Sequence, residues 1–268
     1  MDSTGCVQEL WQQASGSGPP ALLLHGLGAS AHYWDEVLAR DTGKFMVAPD
    51  LLGFGRSPAP PDAPYDVACH LASLAPLLQP GTVVVGHSTG SILAAALAAA
   101  FPDKVRALVL VSTPVYPDEA TARAEIGRIG LLARLTIEGS VWARVVCEAM
   151  CHARPVAVAA APWLFRGLPR AVAADGARHT WPSYSRTLKE VVACHPVADE
   201  LRGSDVPVTF LHGSQDPIAD PARAEALAAS LDSSRQVGFR RVDFRYVDCD
   251  HHLPLKHPDA VVAAIAAT

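Results

Sequence analysis

The sequence predicts an α/β protein with a mostly parallel central sheet flanked by helices. Short apolar runs alternate with helical stretches up to residue 113, the alternation stops over 114–200, and it returns over 201–268. Such alternation is typical of a parallel sheet with right-handed crossovers. We therefore predict one core formed by 1–113 and 201–268, with a helical insertion at 114–200.

Six runs with continuous apolar centres predict strands buried on both faces. They are PALLLHG (20–26), KFMVAPD (44–50), TVVVGHS (82–88), RALVLVST (106–113), VPVTFLHG (206–213) and FRYVDCD (244–250). Helices are predicted at 66–78, near 220–231 and near 257–267. Another begins directly after GHS and ends at Pro102 and Asp103. The stretch 114–200 has amphipathic patterns and no strand pattern, so we expect helices there.

The composition indicates a folded, soluble protein rather than a disordered one. The chain has 268 residues, is 50% hydrophobic and carries a net charge of -5 without a long basic run, which argues against nucleic-acid and membrane-surface partners. The N-terminus lacks the pattern of a cleaved secretion signal, and the apolar run at 92–101 is too short to span a bilayer. We expect a cytoplasmic monomer or homodimer.

The cysteines do not have the spacing of a disulfide framework. They are Cys6, Cys69, Cys147, Cys151, Cys194 and Cys249. Cys147 and Cys151 are one helical turn apart, but one pair alone is weak evidence for a metal site. We predict free thiols and no metal.

The segment VVVGHSTGSILAAAL (83–97) places Ser88 between Gly86 and Gly90, where a strand gives way to a helix. Glycines at these positions allow a tight turn, and the turn directs free helix N–H groups toward whatever bonds to Ser88. A hydroxyl near backbone donors suits acyl transfer. A glycine-lined packing contact is the alternative, so the interpretation requires partners elsewhere in the chain.

A serine hydroxyl needs a base, and DCDHHLPLKHP (248–258) offers three histidines after the last predicted strand. From the residues alone, His251, His252 and His257 all remain candidates.

An acid must fix the tautomer of that histidine, and Asp216 follows the preceding strand at the same edge of the sheet. Asp248 and Asp250 are alternatives that lie close to His251 in sequence. Asp220 is the better candidate for capping the helix that follows.

Two backbone N–H groups are expected to stabilise the oxyanion. Thr89 follows the proposed nucleophile, and HGLGAS (25–30) offers the N–H of Leu27 after the first apolar strand. We expect His25 to hold this loop by hydrogen bonds and His87 to be packed.

Five motifs in order, HGLGASAHYW, PDLLGFGRS, GHSTG, HGSQDPI and HHLPLKHP, resemble the α/β-hydrolase superfamily, in the branch with a helical cap. The resemblance covers nearly the whole chain outside 114–200. It implies that Ser88, Asp216 and His251 form a catalytic triad and that Leu27 and Thr89 form the oxyanion hole. His251 is favoured because it lies three residues before Pro254. Asp250 departs from the glycine that is usual before this histidine.

The resemblance implies that Asp50 and Arg56 organise the loop after the second strand.

The resemblance implies a serine hydrolase of the carboxylesterase type that cleaves an ester, lactone or thioester of a small, largely apolar substrate without a cofactor. C–C bond hydrolysis of a diketone and cofactor-free perhydrolysis use the same triad and stay open, as does a ligand-binding or cyclase-type protein with little turnover. Four aromatic residues of the predicted cap are expected either to line the substrate pocket or to form a small core of the cap itself. They are Trp142, Trp163, Trp181 and Tyr184.

Overall fold

The computed structural model describes residues 6–233 and 241–268, and its central feature is one twisted sheet. The strands are β1 Gln12–Ser15, β2 Pro20–Leu24, β3 Phe45–Pro49, β4 Thr82–His87, β5 Val105–Val111, β6 Val208–Gly213 and β7 Val242–Val247. Within the described residues their order is β1-β3-β2-β4-β5-β6-β7. Every neighbouring pair is parallel except β1 with β3. The predicted fold class is confirmed.

The helices and turns fill the intervals between the strands. The helices are α1 Asp35–Leu38, α2 Val67–Leu74, α3 Thr89–Ala100, α4 Glu119–Ile129, α5 Leu131–Ile137, α6 Val141–His152, α7 Arg154–Leu164, α8 Arg170–Asp175, α9 Trp181–Arg186, α10 Val197–Gly203, α11 Pro221–Ser233, α12 Leu253–Lys256 and α13 Pro258–Ala266. Short 3₁₀ turns lie at Ala31–Trp34 and Ala75–Leu77, and a π-helical turn lies at Thr187–Ala193.

The two faces of the sheet pack into separate cores because successive side chains of a strand point to opposite faces. Val84 of β4 and Leu108 of β5 belong to a core that also includes the apolar side chains of α3. Val85 and Val109 belong to the core on the other face, which contains Trp34. Burial on both faces is the reason that these strands have continuous apolar sequences.

Between β5 and β6 the described chain forms helices α4–α10 and no strand. Part of this helical segment has its own small core, in which Ile126 packs near Leu188 and Val192. A buried side chain also ties the segment to the rest of the protein: Asp175 of α8 accepts hydrogen bonds from Ser30 Oγ (2.7 Å) and His32 Nδ1 (2.6 Å).

Two features near the N-terminus differ from the sequence predictions. Strand β1 was not predicted, because its residues QQAS form no apolar run, and it pairs antiparallel with β3 at the edge of the sheet. Cys6 and Cys69 form a disulfide, so the prediction of free thiols is wrong for this pair. The two cysteines are 63 residues apart in sequence, and only the packing of the N-terminal segment against α2 brings them together.

Among the described residues, no helix combines the length and the apolar composition needed to cross a membrane.

Candidate active site

The residues predicted to carry chemistry follow four parallel strands at their carboxyl ends. Leu27 follows β2, Ser88 follows β4, Asp216 follows β6 and His251 follows β7. Because the carboxyl ends of parallel strands lie along one edge of a sheet, segments distant in sequence meet there.

Ser88 occupies a strained turn between β4 and α3. Its φ is 53° and its ψ is −120°, a conformation that costs a residue with a Cβ about 1–3 kcal/mol. The turn is held because the Ser88 N–H donates to Val111 O (2.9 Å) and the Ser88 carbonyl accepts from Ser91 N (2.9 Å). These bonds keep Ser88 at the turn between strand and helix, where it lines a cavity.

The neighbouring glycines are required by close packing. A Cβ at Gly90 would collide with the carbonyl oxygens of Leu24 and His25, and one at Gly86 would collide with the Gly90 carbonyl. A Cβ at Gly26 would lie 3.2 Å from the Cβ of Ser88, which shows how close the loop after β2 comes to the serine.

The loop after β2 is fixed by His25 and Asp50, two of the residues to which the sequence assigned structural roles. His25 Nδ1 donates to Gly26 O (2.8 Å), and its Nε2 accepts from the Leu51 N–H (2.9 Å). Asp50 accepts from the backbone N–H groups of Ala31 (2.6 Å) and Arg56 (2.8 Å). The loop that carries Leu27 is therefore held on both sides.

The backbone N–H groups of Leu27 and Thr89 donate to no acceptor among the described residues. Thr89 is the first residue of α3, where helix N–H groups lack intrahelical partners. Both residues line the same cavity as Ser88. These groups are available to bind an oxygen of a ligand.

His251 and Asp216 form a buried pair. His251 Nδ1 lies 2.9 Å from Asp216 Oδ2 and 3.1 Å from Oδ1, and because a carboxylate only accepts, Nδ1 carries the proton. Asp216 Oδ1 also accepts from the N–H groups of Ile218 (2.8 Å) and Ala219 (3.0 Å). Burial alone would raise the pKa of Asp216, but the hydrogen bonds outweigh it and hold that pKa below its usual value.

A cavity of about 380 Å³ joins the serine to the histidine of this pair, since Ser88 and His251 both line it. Because Nδ1 of His251 is hydrogen-bonded to Asp216, Nε2 is the ring nitrogen that remains available to a ligand in the cavity. Among the described residues, no hydrogen bond joins the Ser88 hydroxyl to the His251 ring. Catalytic hydrogen bonds are often long in unliganded proteins and shorten when substrate binds.

His87 and His252 lie beside His251, and Tyr33 contacts both of them; the sequence left His252 as a candidate base, predicted His87 to be packed and assigned Tyr33 no role. The His87 ring stacks on Tyr33, with centroids 4.6 Å apart, and His87 Nε2 donates to the backbone carbonyl of His251 (2.9 Å). Tyr33 OH lies 3.0 Å from His252 Nδ1. Tyr33 lies in HGLGASAHYW and His252 in HHLPLKHP, but nothing local in either motif indicates that the two side chains meet.

Asp250, which departs from the family pattern, stabilises the turn before α12. It accepts from the His252 N–H (3.0 Å) and forms an ion pair with Lys256.

The rest of the cavity wall is largely apolar. Ile126, Leu168, Val172, Leu188, Val192 and Ile218 contribute to it. Of the four predicted pocket residues, Tyr184 lines the cavity and the three tryptophans do not. Trp142 and Trp163 are 75% and 65% exposed, because they lie on the outer faces of α6 and α7, and Trp181 lines a separate groove with Arg186.

The paired cysteines of α6 have protein partners. Cys151 Sγ donates to His179 O (3.3 Å), and burial with the nearby Cys151 raises the pKa of Cys147 to about 12. The described residues include no cluster of three or more side chains suited to holding a metal ion.

Comparisons with known proteins agree with this fold. A family model of the alpha/beta hydrolase fold matches residues 19–136. Lipase LipV of Mycobacterium tuberculosis is 30% identical over 271 residues, covering 95% of this chain and 95% of LipV. The solved structure of a thermophilic esterase from Thermogutta terrifontis has a TM-score of 0.67 and 24% identity, covering 96% of this chain and 92% of that chain, and it shares the fold. The chain belongs to the α/β-hydrolase family.

Other relatives match over a shorter stretch. An uncharacterized protein of Mycobacterium tuberculosis is 41% identical over 103 residues, so the match spans 37% of this chain and 30% of that relative.

Proposed function

We propose that this protein is a serine hydrolase that cleaves a carboxylic ester of a small, largely apolar substrate through an acyl-enzyme. The observation that carries the proposal is the strained turn at Ser88, which shares a cavity with His251, the hydrogen-bond partner of Asp216. A serine held at such a cost, opposite a histidine whose tautomer is fixed, matches the requirements of nucleophilic catalysis.

In the acylation step, Ser88 Oγ attacks the ester carbonyl carbon while its proton passes to His251 Nε2. Asp216 holds the Nδ1–H and stabilises the imidazolium that forms. The N–H groups of Leu27 and Thr89 bind the oxyanion. His251 then donates the proton to the leaving alcohol, and the C–O bond breaks.

In the deacylation step, a water molecule replaces the alcohol. His251 Nε2 takes a proton from the water, whose oxygen attacks the acyl carbon, and the tetrahedral intermediate again has its oxyanion at Leu27 and Thr89. Collapse releases the carboxylic acid and returns the proton to Ser88. Every role is filled by protein groups, so we propose no cofactor.

The helical segment between β5 and β6 is proposed to act as a cap, with 114–200 as its extent and 1–113 and 201–268 as the core. Its side chains, among them Ile126 and Leu188, form the apolar wall that faces the Ser88 edge. An apolar wall favours an apolar acyl or alcohol group. LipV is named a lipase and the Thermogutta protein an esterase, which supports ester cleavage.

The direct test measures hydrolysis of p-nitrophenyl esters by purified wild type, Ser88→Ala and a control, Ser214→Ala. We expect Ser88→Ala to lose turnover by about 10⁵- to 10⁶-fold, as removal of a catalytic serine does elsewhere. Ser214 is exposed, so its variant should match wild type. Undiminished turnover by Ser88→Ala would contradict the proposal.

A substrate panel separates the reactions that one triad can support. It includes short and long acyl esters, lactones, thioesters and diketones. The highest Ser88-dependent kcat/KM identifies the bond that is cleaved, and we expect it among the oxygen esters. Preferred cleavage of a diketone would replace ester hydrolysis with C–C bond hydrolysis.

A further inference from the structure

His252 lies directly after His251 and lines the same cavity, yet the proposed mechanism gives it no role. The two rings are 6.0 Å apart between centroids and nearly perpendicular, at 73°. What His252 can offer a ligand depends on which of its ring nitrogens carries the proton, and the surrounding hydrogen bonds decide this.

The backbone of His251 fixes the tautomer of His87. Its Nε2 lies 2.9 Å from the backbone carbonyl oxygen of His251, and because a carbonyl oxygen only accepts, Nε2 carries the proton. Burial and the nearby His251 ring lower the pKa of His87 well below its ordinary value, so the ring is neutral. His87 Nε2 therefore cannot accept a hydrogen bond from Tyr33.

The Tyr33 hydroxyl has two histidine ring nitrogens nearby. It is buried, and it lies 3.4 Å from His87 Nε2 and 3.0 Å from His252 Nδ1. Burial and the charge of Asp250 raise the pKa of Tyr33 well above its usual value, so the hydroxyl keeps its proton. Since His87 Nε2 only donates, His252 Nδ1 is the acceptor within reach of the Tyr33 O–H.

The contact with Tyr33 determines the tautomer of His252. If Nδ1 accepts from Tyr33, the proton of the neutral ring is on Nε2. Burial and the neighbouring His251 lower the pKa of His252, which favours the neutral ring. The opposite tautomer would leave the buried Tyr33 O–H without an acceptor, at a cost of about 1–3 kcal/mol. Among the described residues, His252 Nε2 has no hydrogen-bond partner.

We propose that His252 is a specificity-determining residue whose Nε2–H donates a hydrogen bond to a second oxygen of the substrate, within a few bonds of the scissile carbonyl. The inference rests on the proposed function, and it names the substrate class: esters whose acyl or alcohol part carries a ketone, ether or further ester oxygen. A carboxylate is disfavoured, because no lysine or arginine lines the described cavity wall to balance its charge.

The test compares matched p-nitrophenyl esters with and without the second oxygen. The pairs are 4-oxopentanoate with 4-methylpentanoate, and methoxyacetate with butanoate. For each pair the ratio of kcat/KM values is measured in wild type, His252→Phe and His252→Gln, and in His257→Phe as the control. His257 is an exposed histidine on the same segment, outside the cavity wall.

We expect wild type to prefer the oxygen-bearing member of at least one pair. In His252→Phe this preference falls about tenfold through KM, as the loss of one hydrogen bond predicts. His252→Gln, which keeps a donor, recovers part of it, and His257→Phe matches wild type. A preference that is the same in His252→Phe and wild type, or that is absent from wild type, overturns the inference.

A second measurement does not depend on turnover. In ¹⁵N NMR spectra of labelled protein, the His252 signals, assigned by their loss in His252→Phe, should show a protonated Nε2 and an unprotonated Nδ1. A protonated Nδ1 overturns the inference. Failure of the proposed function has a different signature, which is ester turnover that persists in Ser88→Ala.

Discussion

The imidazole of His251 donates from Nδ1 to Asp216 Oδ2 across 2.9 Å, although the two residues are 35 positions apart along the chain. The Asp216 side chain is fully buried, and the hydrogen bonds to it hold its pKa below the usual value in spite of that burial. The carboxylate therefore stays charged and fixes the histidine with its Nε2 free of the proton.

Asp216→Asn tests this relationship. An amide in place of the carboxylate can donate to Nδ1 and so favour the wrong tautomer, and we expect kcat to fall by about 10⁴-fold with little change in KM. The control is Asp248→Asn, since Asp248 is exposed and was one of the two alternative acids in the sequence. Equal activity of the two variants would remove Asp216 from the mechanism.

The strained backbone at Ser88 predicts that glycine at this position makes the fold more stable than alanine does. Glycine adopts a positive φ at little cost, whereas alanine does not. We therefore expect the free energy of unfolding of Ser88→Gly to be about 1 kcal/mol greater than that of Ser88→Ala. At Ser91, inside α3, the same comparison should have the opposite sign, because glycine destabilises a helix. Urea denaturation of the four variants measures both differences. An alanine variant at least as stable as the glycine variant at position 88 would contradict the strain.

Asp175 is predicted to position the loop that carries Leu27. It is 5% exposed and accepts from Ser30, His32 and Arg178, so its loss leaves the buried Ser30 hydroxyl and two partly buried donors without this acceptor. We expect Asp175→Asn to lower the free energy of unfolding by about 2–3 kcal/mol and kcat by about tenfold, with a smaller change in KM.

The matched control for that experiment is Asp199→Asn, an exposed aspartate in an ion pair with Arg202. It should change stability by less than about 0.5 kcal/mol. If Asp175→Asn behaves like the control, the contact of α8 with the loop does not position the site.

Three buried histidines predict a loss of stability in mild acid. Burial lowers the pKa of His70 to about 3 and those of His179 and His212 to about 4, from an ordinary value of 6.5. Below pH 6.5 the unfolded chain therefore binds more protons than the folded one. Each group reduces stability by up to about 1.4 kcal/mol per pH unit as the pH falls from 6.5 toward its folded pKa.

The measurement is urea denaturation at pH 8, 7, 6 and 5, with His70→Gln as the variant. Glutamine can keep the hydrogen bond to Thr187 and does not titrate, so we expect a shallower decline below pH 6.5. The exposed His257 provides the control, His257→Gln, which should follow wild type. A His70→Gln variant with the wild-type decline would show that His70 does not titrate on unfolding.

The sequence predicted the parallel sheet well because the centres of β2, β4 and β5 are buried on both faces and are continuously apolar. The site segments were also predictable, since each follows a strand and carries a motif. The sequence could not predict β1, whose edge position needs no apolar run, or the Cys6–Cys69 disulfide, which depends on tertiary packing.

The pocket residues were the least predictable part. Aromatic composition favoured Trp142 and Trp163, but the helical segment turns these side chains outward, and the cavity is lined by aliphatic residues on its inner faces. Only the tertiary contacts of α4 and the π-helical turn decide which face is inside. The contact between Tyr33 and His252 joins two loops 219 residues apart, and no local pattern indicates it.

The most direct measurement is covalent labelling with a fluorophosphonate, followed by mass spectrometry of the digested protein. This reagent reacts with a serine whose hydroxyl is activated by a neighbouring base. We predict one adduct per chain on the peptide that contains Ser88, formed by wild type and lost in both Ser88→Ala and His251→Ala. A wild-type protein that hydrolyses esters while its Ser88 peptide stays unmodified would contradict the account.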